Sequence, residues 1–214
     1  MDGALDGLRG RLVPHALEVL GAFACVPDDG FPDWAQSVVL LGPKEPGFWP
    51  HMHRQPEWQD GKPDPIDRWS RRVIGRLACD LAGKAYFPFG GPPYHPFYRW
   101  ALRTGQVWES PVRLLVHKSQ GLMVSFRGAL VLRDQIVMPA SAPVCDGCDA
   151  PCLSVCPVGA LGETGYDVPA CHAHLNGQNS CMTGGCLVRR ACPVSQTYAR
   201  MPEQSAYHMR QFHT

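Results

Sequence analysis

Cys145-Asp146-Gly147-Cys148-Asp149-Ala150-Pro151-Cys152-Leu153-Ser154-Val155-Cys156-Pro157 is the stretch on which the reading of this chain turns. A second, looser group follows at Cys171, Cys181, Cys186 and Cys192-Pro193, so eight of the ten cysteines lie between 145 and 192. Each group holds four cysteines and closes on Cys-Pro. Two sets of four thiolates suit two metal clusters. Short Cys-x-x-Cys spacing lets successive thiolates converge from one turn.

Outward from that stretch, the composition bounds the rest. A chain of 214 residues with 45% apolar content is long enough to bury a sizeable core. No apolar run reaches membrane-spanning length, and Pro14, His15 and Glu18 interrupt the N-terminal stretch from Leu12 to Val26. The expectation is a cytoplasmic protein with no membrane partner. In a reducing compartment, clustered cysteines point to metal ligation or redox chemistry rather than to disulfides. A formal net charge of +1 supplies no global field to attract nucleic acid. The segment after Cys186, with Arg189, Arg190, Arg200 and Arg210, is locally basic and reads as a solvated or docking face, for instance for an acidic electron-transfer partner.

Upstream, Leu5, Leu8, Leu12, Leu17 and Leu20 recur at roughly helical spacing, with Gly10 and Pro14 expected to divide the stretch into one or two short helices. Ala22 to Val26 and Ser37 to Leu41 read as strands, and Cys25 as a core thiol. Residues 42–67 are dense in Pro, Gly, Trp and His and read as an irregular loop, with His51 and His53 as loop-surface histidines. Ile66 to Leu81 reads as an amphipathic helix with Asp64 as its capping candidate, Pro65 in its first turn and Cys79 buried near its end. The stretch 86–100 alternates aromatics with Gly and Pro, which suits either a core plug or one wall of a pocket for a large flat ligand. Val112 to Val116 and Leu122 to Phe126 read as strands joined by a hairpin-like turn at 117–121, followed by strands at Ala129 to Leu132 and Ile136 to Met138. The expected division is a mixed α/β cofactor or partner domain over 1–140, a two-cluster module over 144–198 and a C-terminal tail over 199–214.

In two-cluster ferredoxins the cysteine before Pro crosses to the other cluster. Applied here, that rule groups Cys145, Cys148, Cys152 and Cys192 around one cluster and Cys156, Cys171, Cys181 and Cys186 around the other. The expected cofactors are two [4Fe-4S] clusters. Structural zinc also uses Cys-x-x-Cys, but zinc ribbons do not usually require the paired Cys-Pro endings. His172 and His174 flank Cys171 and are read as surface or outer-sphere residues, because eight cysteines already complete two sites.

This pattern resembles the family of epoxyqueuosine reductase and its relatives, the cobalamin-dependent reductive dehalogenases, in which a two-cubane ferredoxin-like module follows an α/β domain. The resemblance extends to Ser110-Pro111-Val112-Arg113-Leu114-Leu115-Val116, to Gly121-Leu122-Met123-Val124-Ser125-Phe126-Arg127-Gly128-Ala129-Leu130 and to Pro139 ahead of the first cysteine. The same segment is similar to proteins that process vitamin B12 derivatives. The resemblance implies an α+β fold: a reduced, nitroreductase-like N-terminal α/β domain followed by a bacterial-ferredoxin-like two-cluster module. It implies a corrinoid (cobalamin) as the group the clusters reduce, a cobalamin-dependent or cobalamin-reducing oxidoreductase activity, and a partner reductase or other electron donor protein. A corrinoid or other flat cofactor is expected between the 47–53 and 86–100 loops and the 122–128 strand, with Phe89, Tyr94, Met123, Ser125, Phe126 and Arg127 as its contacts. The chain departs from the family in having three residues between Cys148 and Cys152 rather than two, and neither Asp nor Glu in the 86–100 loop. Two other readings stay open: a ferredoxin-type carrier without a substrate of its own, and a structural zinc protein.

Overall fold

The computed structural model describes residues 2–177 and 179–213. The chain is mixed α+β and divides into two compact units. The first comprises 1–106 and 125–140, the second 107–124 and 141–214. The stretch 107–124 therefore leaves the first unit and folds with the cysteine-rich segment. Its strands, in chain order, are β1 (Leu17–Ala24), β2 (Ser37–Pro43), β3 (Lys84–Tyr86), β4 (Val107–Glu109), β5 (Leu115–His117), β6 (Gly128–Leu132), β7 (Leu161–Gly162) and β8 (Gly165–Tyr166). The helices are α1 (Asp2–Leu12), α2 (Phe48–His53), α3 (Pro56–Gln59), α4 (Pro65–Asp80), α5 (Phe97–Arg103), α6 (Val168–Leu175), α7 (Ser180–Gly184), α8 (Leu187–Ala191), α9 (Pro193–Gln196) and α10 (Pro202–Phe212). Among the described residues, no helix is long and apolar enough to cross a membrane.

The first unit is organised by an antiparallel sheet in the order β1-β2-β6-β3. The two inner strands, β2 and β6, are buried at every position, which explains why Val38 to Leu41 is continuously apolar instead of alternating. Each such side chain, fully buried, contributes roughly 1.5–3 kcal/mol. Helix α4 packs on β6 and β3 through a stripe that includes Trp69, Val73, Ile74 and Leu77. Gly128 permits that approach, since a Cβ there would meet Ile74 Cδ1 at 2.9 Å. On the edge strand β1, Gly21 follows a register shift and faces Thr104, whose Cβ would lie 2.5 Å from an added methyl.

Several expectations change here. The Leu5–Leu20 periodicity spans two elements: α1 runs through Gly10 and stops before Pro14, while Leu17 and Leu20 lie in β1. The 42–67 loop folds into α2 and α3, and His53 stacks on Trp58 with centroids 4.5 Å apart. Asp64 precedes α4 but caps it by a left-handed backbone (φ 52°), not by a side-chain hydrogen bond. Cys79 is exposed and Cys25 half-buried, so neither is the fully enclosed thiol expected. Ile136 to Met138 is not a strand, because Ile136 N–H donates to Ser37 Oγ at 3.2 Å rather than to a neighbouring strand.

The second unit has little regular sheet. β4 and β5 pair antiparallel around a turn in which Arg113 is left-handed (φ 60°), and β7 and β8 make a ribbon of two residues each. Arg113 ties the turn down through Glu109 Oε1 at 2.5 Å and Glu163 O at 3.0 Å. The Val112–Val116 strand is therefore shortened to its second half. Leu122 to Phe126 is not a strand either, since side chains of the same unit take the backbone groups at its start. Leu122 N–H donates to Ser195 Oγ at 2.8 Å, Arg189 donates to Leu122 O, and Arg200 donates to Met123 O at 3.0 Å. The unit's core gathers Val112, Val116, Leu122, Leu161 and Val188 with the thiols of Cys152 and Cys192. Residues 199–214, expected as a tail, carry α10, which packs on α7.

Candidate metal centres

Three cysteines of the first centre come from one irregular loop. Cys148 N–H donates to Cys145 O at 3.2 Å, Gly147 (φ 72°) and Ala150 (φ 47°) bend the chain, and a short 3-10 turn over Pro151–Leu153 presents Cys152. The fourth, Cys192, arrives from the far end of α8. Pro193 opens α9 and holds the preceding Cys192 extended (ψ 122°), so its side chain leaves the helical path. Cys145, Cys148, Cys152 and Cys192 line one cavity of about 470 Å³, walled on its apolar side by Val116 and Leu122. Burial pushes the Cys145 thiol above its ordinary range, and the neighbouring thiols of Cys192, Cys148 and Cys152 push the same way. Cys152 is raised for the same leading reason.

The second centre draws on four separate pieces. Cys156 precedes the turn to Ala160, whose N–H donates to Cys156 Sγ at 3.3 Å. Cys171 lies in α6, capped by Asp167 Oδ1 accepting from Ala170 N–H at 2.9 Å. Cys181 lies in α7, capped by Asn179 Oδ1 accepting from Met182 N–H at 3.1 Å. Cys186 immediately precedes α8. These four thiols line a tighter cavity of about 20 Å³, closed by Leu161, Leu175, Val188 and Met209. Burial raises Cys171 and Cys181, and the other thiols of the same group add to the rise.

Tyr166 and the C-terminal helix cover this second site. The Tyr166 hydroxyl donates to Cys171 Sγ at 3.2 Å. Phe212 of α10 stacks on His172 (centroids 4.6 Å) and on Tyr166 (6.0 Å). His213 Nε2 meets Asn176 Oδ1 at 3.1 Å, and its Nδ1 meets His172 Nδ1 at 2.7 Å. With Asn176 Oδ1 accepting from Nε2–H, His213 Nδ1 accepts the proton carried on His172 Nδ1. The two histidines latch α10 over Cys171 and are not part of the thiol set.

The two cavities divide the eight cysteines as the crossing rule divides them, with Cys156 and Cys192 each joining the other group. All ten cysteines are free thiols. Among the described residues, no three His, Cys, Asp or Glu side chains converge on a single ion-sized point. What a bound group must satisfy is indicated by Arg189. Its guanidinium sits deep in the unit, donates to Leu122 O, and pairs with no carboxylate among the described residues. Burial works against its charge, and a thiolate at Cys186 is the neighbouring group whose negative charge favours it. A buried cation left without a counter-charge is expensive. A thiolate-held cubane is a net anion, so soft donors in fours beside a buried guanidinium fit such a group.

Arg189 was legible only as part of a basic stretch, and its expected solvated role is corrected: it and Arg200 turn inward onto carbonyls, while Arg190 and Arg210 remain exposed. The clue available in the sequence was its position three residues after Cys186, one helical turn along α8. Tyr166 carried no signal before its hydroxyl was placed.

The residues marked for a flat cofactor are divided between the two units. Phe89, Tyr94, Ser125, Phe126 and Arg127 belong to the first unit and Met123 to the second. Arg127 lies over the Phe89 ring at 6.0 Å and pairs with Asp67 at 3.2 Å, and Arg71 lies over the same ring at 5.1 Å. Phe126 packs toward Phe97 at 6.3 Å. Ser125 is half-buried, its carbonyl close against Gly42. Tyr94 is 67% exposed, and Met123 is buried. Neither a protein-family model, nor a curated protein, nor a solved structure matches this chain.

Proposed function

We propose that this chain is an iron-sulfur redox protein whose eight clustered cysteines hold two [4Fe-4S] clusters in a ferredoxin-like module. The observation that carries the proposal is the gathering of eight thiols into two fours with Cys156 and Cys192 exchanged between the sequence groups. That exchange is the ligand pattern of two-cluster ferredoxins and ties both sites into one folded unit. When bound, such clusters take up and release single electrons. The chain's own contribution is to wrap and dry them: Val116 and Leu122 at the first site, Leu161, Leu175 and Met209 at the second. Ala160 N–H and Tyr166 O–H hold two ligand sulfurs of the second site in place.

The electrons come from a partner reductase or small carrier protein. Their recipient, on the strength of the family resemblance, is a corrinoid or similar flat cofactor held by a nitroreductase-like first domain. Of the residues marked for it, Phe89 and Arg127 adjoin each other and Arg71, a cationic and aromatic pairing suited to a flat ligand with anionic substituents. Anaerobic reconstitution followed by metal and sulfide analysis, with EPR of the reduced protein, tests the cluster assignment. Cobalamin titrated into the same sample tests the recipient. A shifted cobalt spectrum supports the corrinoid. An unchanged spectrum on fully loaded protein removes the corrinoid and leaves an electron carrier.

A further inference from the structure

The two sites differ in the fixed charges around them. The loop that carries the first also carries Asp146 and Asp149, which border its cavity. Asp146 is close enough to act on the Cys145 thiol. Both aspartates are exposed, so water and salt weaken their effect without changing its sign. The second site has the deep guanidinium of Arg189, whose favourable partner is the Cys186 thiolate, one helical turn before it, and the Tyr166 hydroxyl donating to Cys171 Sγ at 3.2 Å. The interaction of the deep guanidinium is screened far less than one at the surface.

Reduction of a cluster adds one electron and no proton, so the site becomes more negative by one charge. A buried cation and a hydrogen bond to a ligand sulfur stabilise the added charge, and nearby carboxylates oppose it. We propose that Arg189 and Tyr166 make the centre of Cys156, Cys171, Cys181 and Cys186 the more readily reduced of the two, so that an electron delivered to the module by a one-electron donor comes to rest there. This inference rests on the reading of both sites as iron-sulfur clusters. It assigns Arg189 and Tyr166 as tuning residues that act through the ligand sulfurs and touch no substrate.

Neither residue is explained by packing alone. Tyr166 is 38% exposed, and the ring of a Phe would keep its stack on Phe212. Arg189 has a structural use in its bond to Leu122 O, but a neutral donor would have served that purpose without the cost of burying a charge.

The test is an EPR-monitored titration of the full reconstituted chain with dithionite, on wild type, Tyr166→Phe, Arg189→Met, Arg189→Lys and Asp149→Asn. The expected result is two midpoints. Tyr166→Phe lowers the upper one and leaves the lower one in place, Arg189→Met lowers the upper one more than the lower because its partner Leu122 also walls the first site, Arg189→Lys lowers the upper one less than Arg189→Met, and Asp149→Asn raises the lower one. Tyr166→Phe carries the test by itself if Arg189→Met does not fold. Full iron with the upper midpoint unmoved in Tyr166→Phe, or with the lower midpoint moving instead, overturns the proposal and leaves the cluster reading standing. Wild-type protein that takes up no iron overturns both, and the metal analysis shows this before any titration.

Discussion

In the first unit, β2 is buried at all seven of its positions and β6 at all five, and a 16-residue helix covers them. In the second, the β7 and β8 strands have two residues each, α7 and α8 five and α9 four. Elements this short cannot nucleate alone, and the apolar core they share includes the thiols of Cys152 and Cys192. The first unit is held by apolar burial between regular elements. The second is held by side chains that take backbone groups and by a small apolar core in which two of the thiols take part. Under the proposed cluster assignment, stability and redox chemistry depend on the same residues in the second unit and can be separated in the first.

If the thiols hold the proposed clusters, removing the metal should break that contrast most severely. Structural metal sites contribute on the order of 10 kcal/mol to folding, so chelation or mild acid should strip protection from amides 107–124 and 141–214 while those of β2 and β6 persist. Hydrogen exchange read by mass spectrometry would show this, and equal loss in both units would contradict it. Next in size is Leu40→Ala, which empties a fully buried position of β2 and should cost about 2–5 kcal/mol in denaturant unfolding. Iron per folded chain should be unchanged. Gly121→Ala is the corresponding change in the second unit. Gly121 has φ 56°, and a Cβ there would meet Ser195 N at 2.4 Å, so the Leu122–Ser195 bond must open. A loss of about 1–3 kcal/mol follows from the strain and the opened contact, with lower iron retention as the readout.

Much of this contrast was legible in the sequence, for identifiable reasons. One residue type recurring at short spacing stands out in a sequence, so the cysteines and the two fours in which they line the cavities could be read directly. β2 was legible because a strand covered on both faces must be apolar throughout, and α4 because its stripe is periodic. What failed to read depended on distant partners. Leu17 and Leu20 extend a helical spacing but belong to β1, which pairs with β2. Leu122 to Phe126 has the composition of a strand, yet its backbone is claimed by Ser195, Arg189 and Arg200, more than 60 residues away in sequence. The seat of α10 was equally hidden: Gly185 lies so close to Ser205 that a Cβ would come within 2.5 Å of Ser205 Cβ.

The smallest expected effect is a pH dependence confined to the first unit. Burial lowers the proton affinity of His51 and His15, and the nearby cations add to the effect: His15, Arg54 and Arg72 for His51, and Arg72 for His15. Both sit below the ordinary 6.5 when folded, so the unfolded chain binds more protons as pH falls through that value. Stability should therefore decline on acidification below about pH 6.5 and level off once the folded histidines are themselves protonated. His51→Gln should flatten the decline in melting temperature across that window. An unchanged slope would remove His51 from the account.

The most direct test of the central claim is the iron and acid-labile sulfide content of anaerobically reconstituted protein. Two cubanes on eight thiols predict about eight of each per chain, with a brown sample. A colourless protein carrying zinc and no sulfide would contradict it.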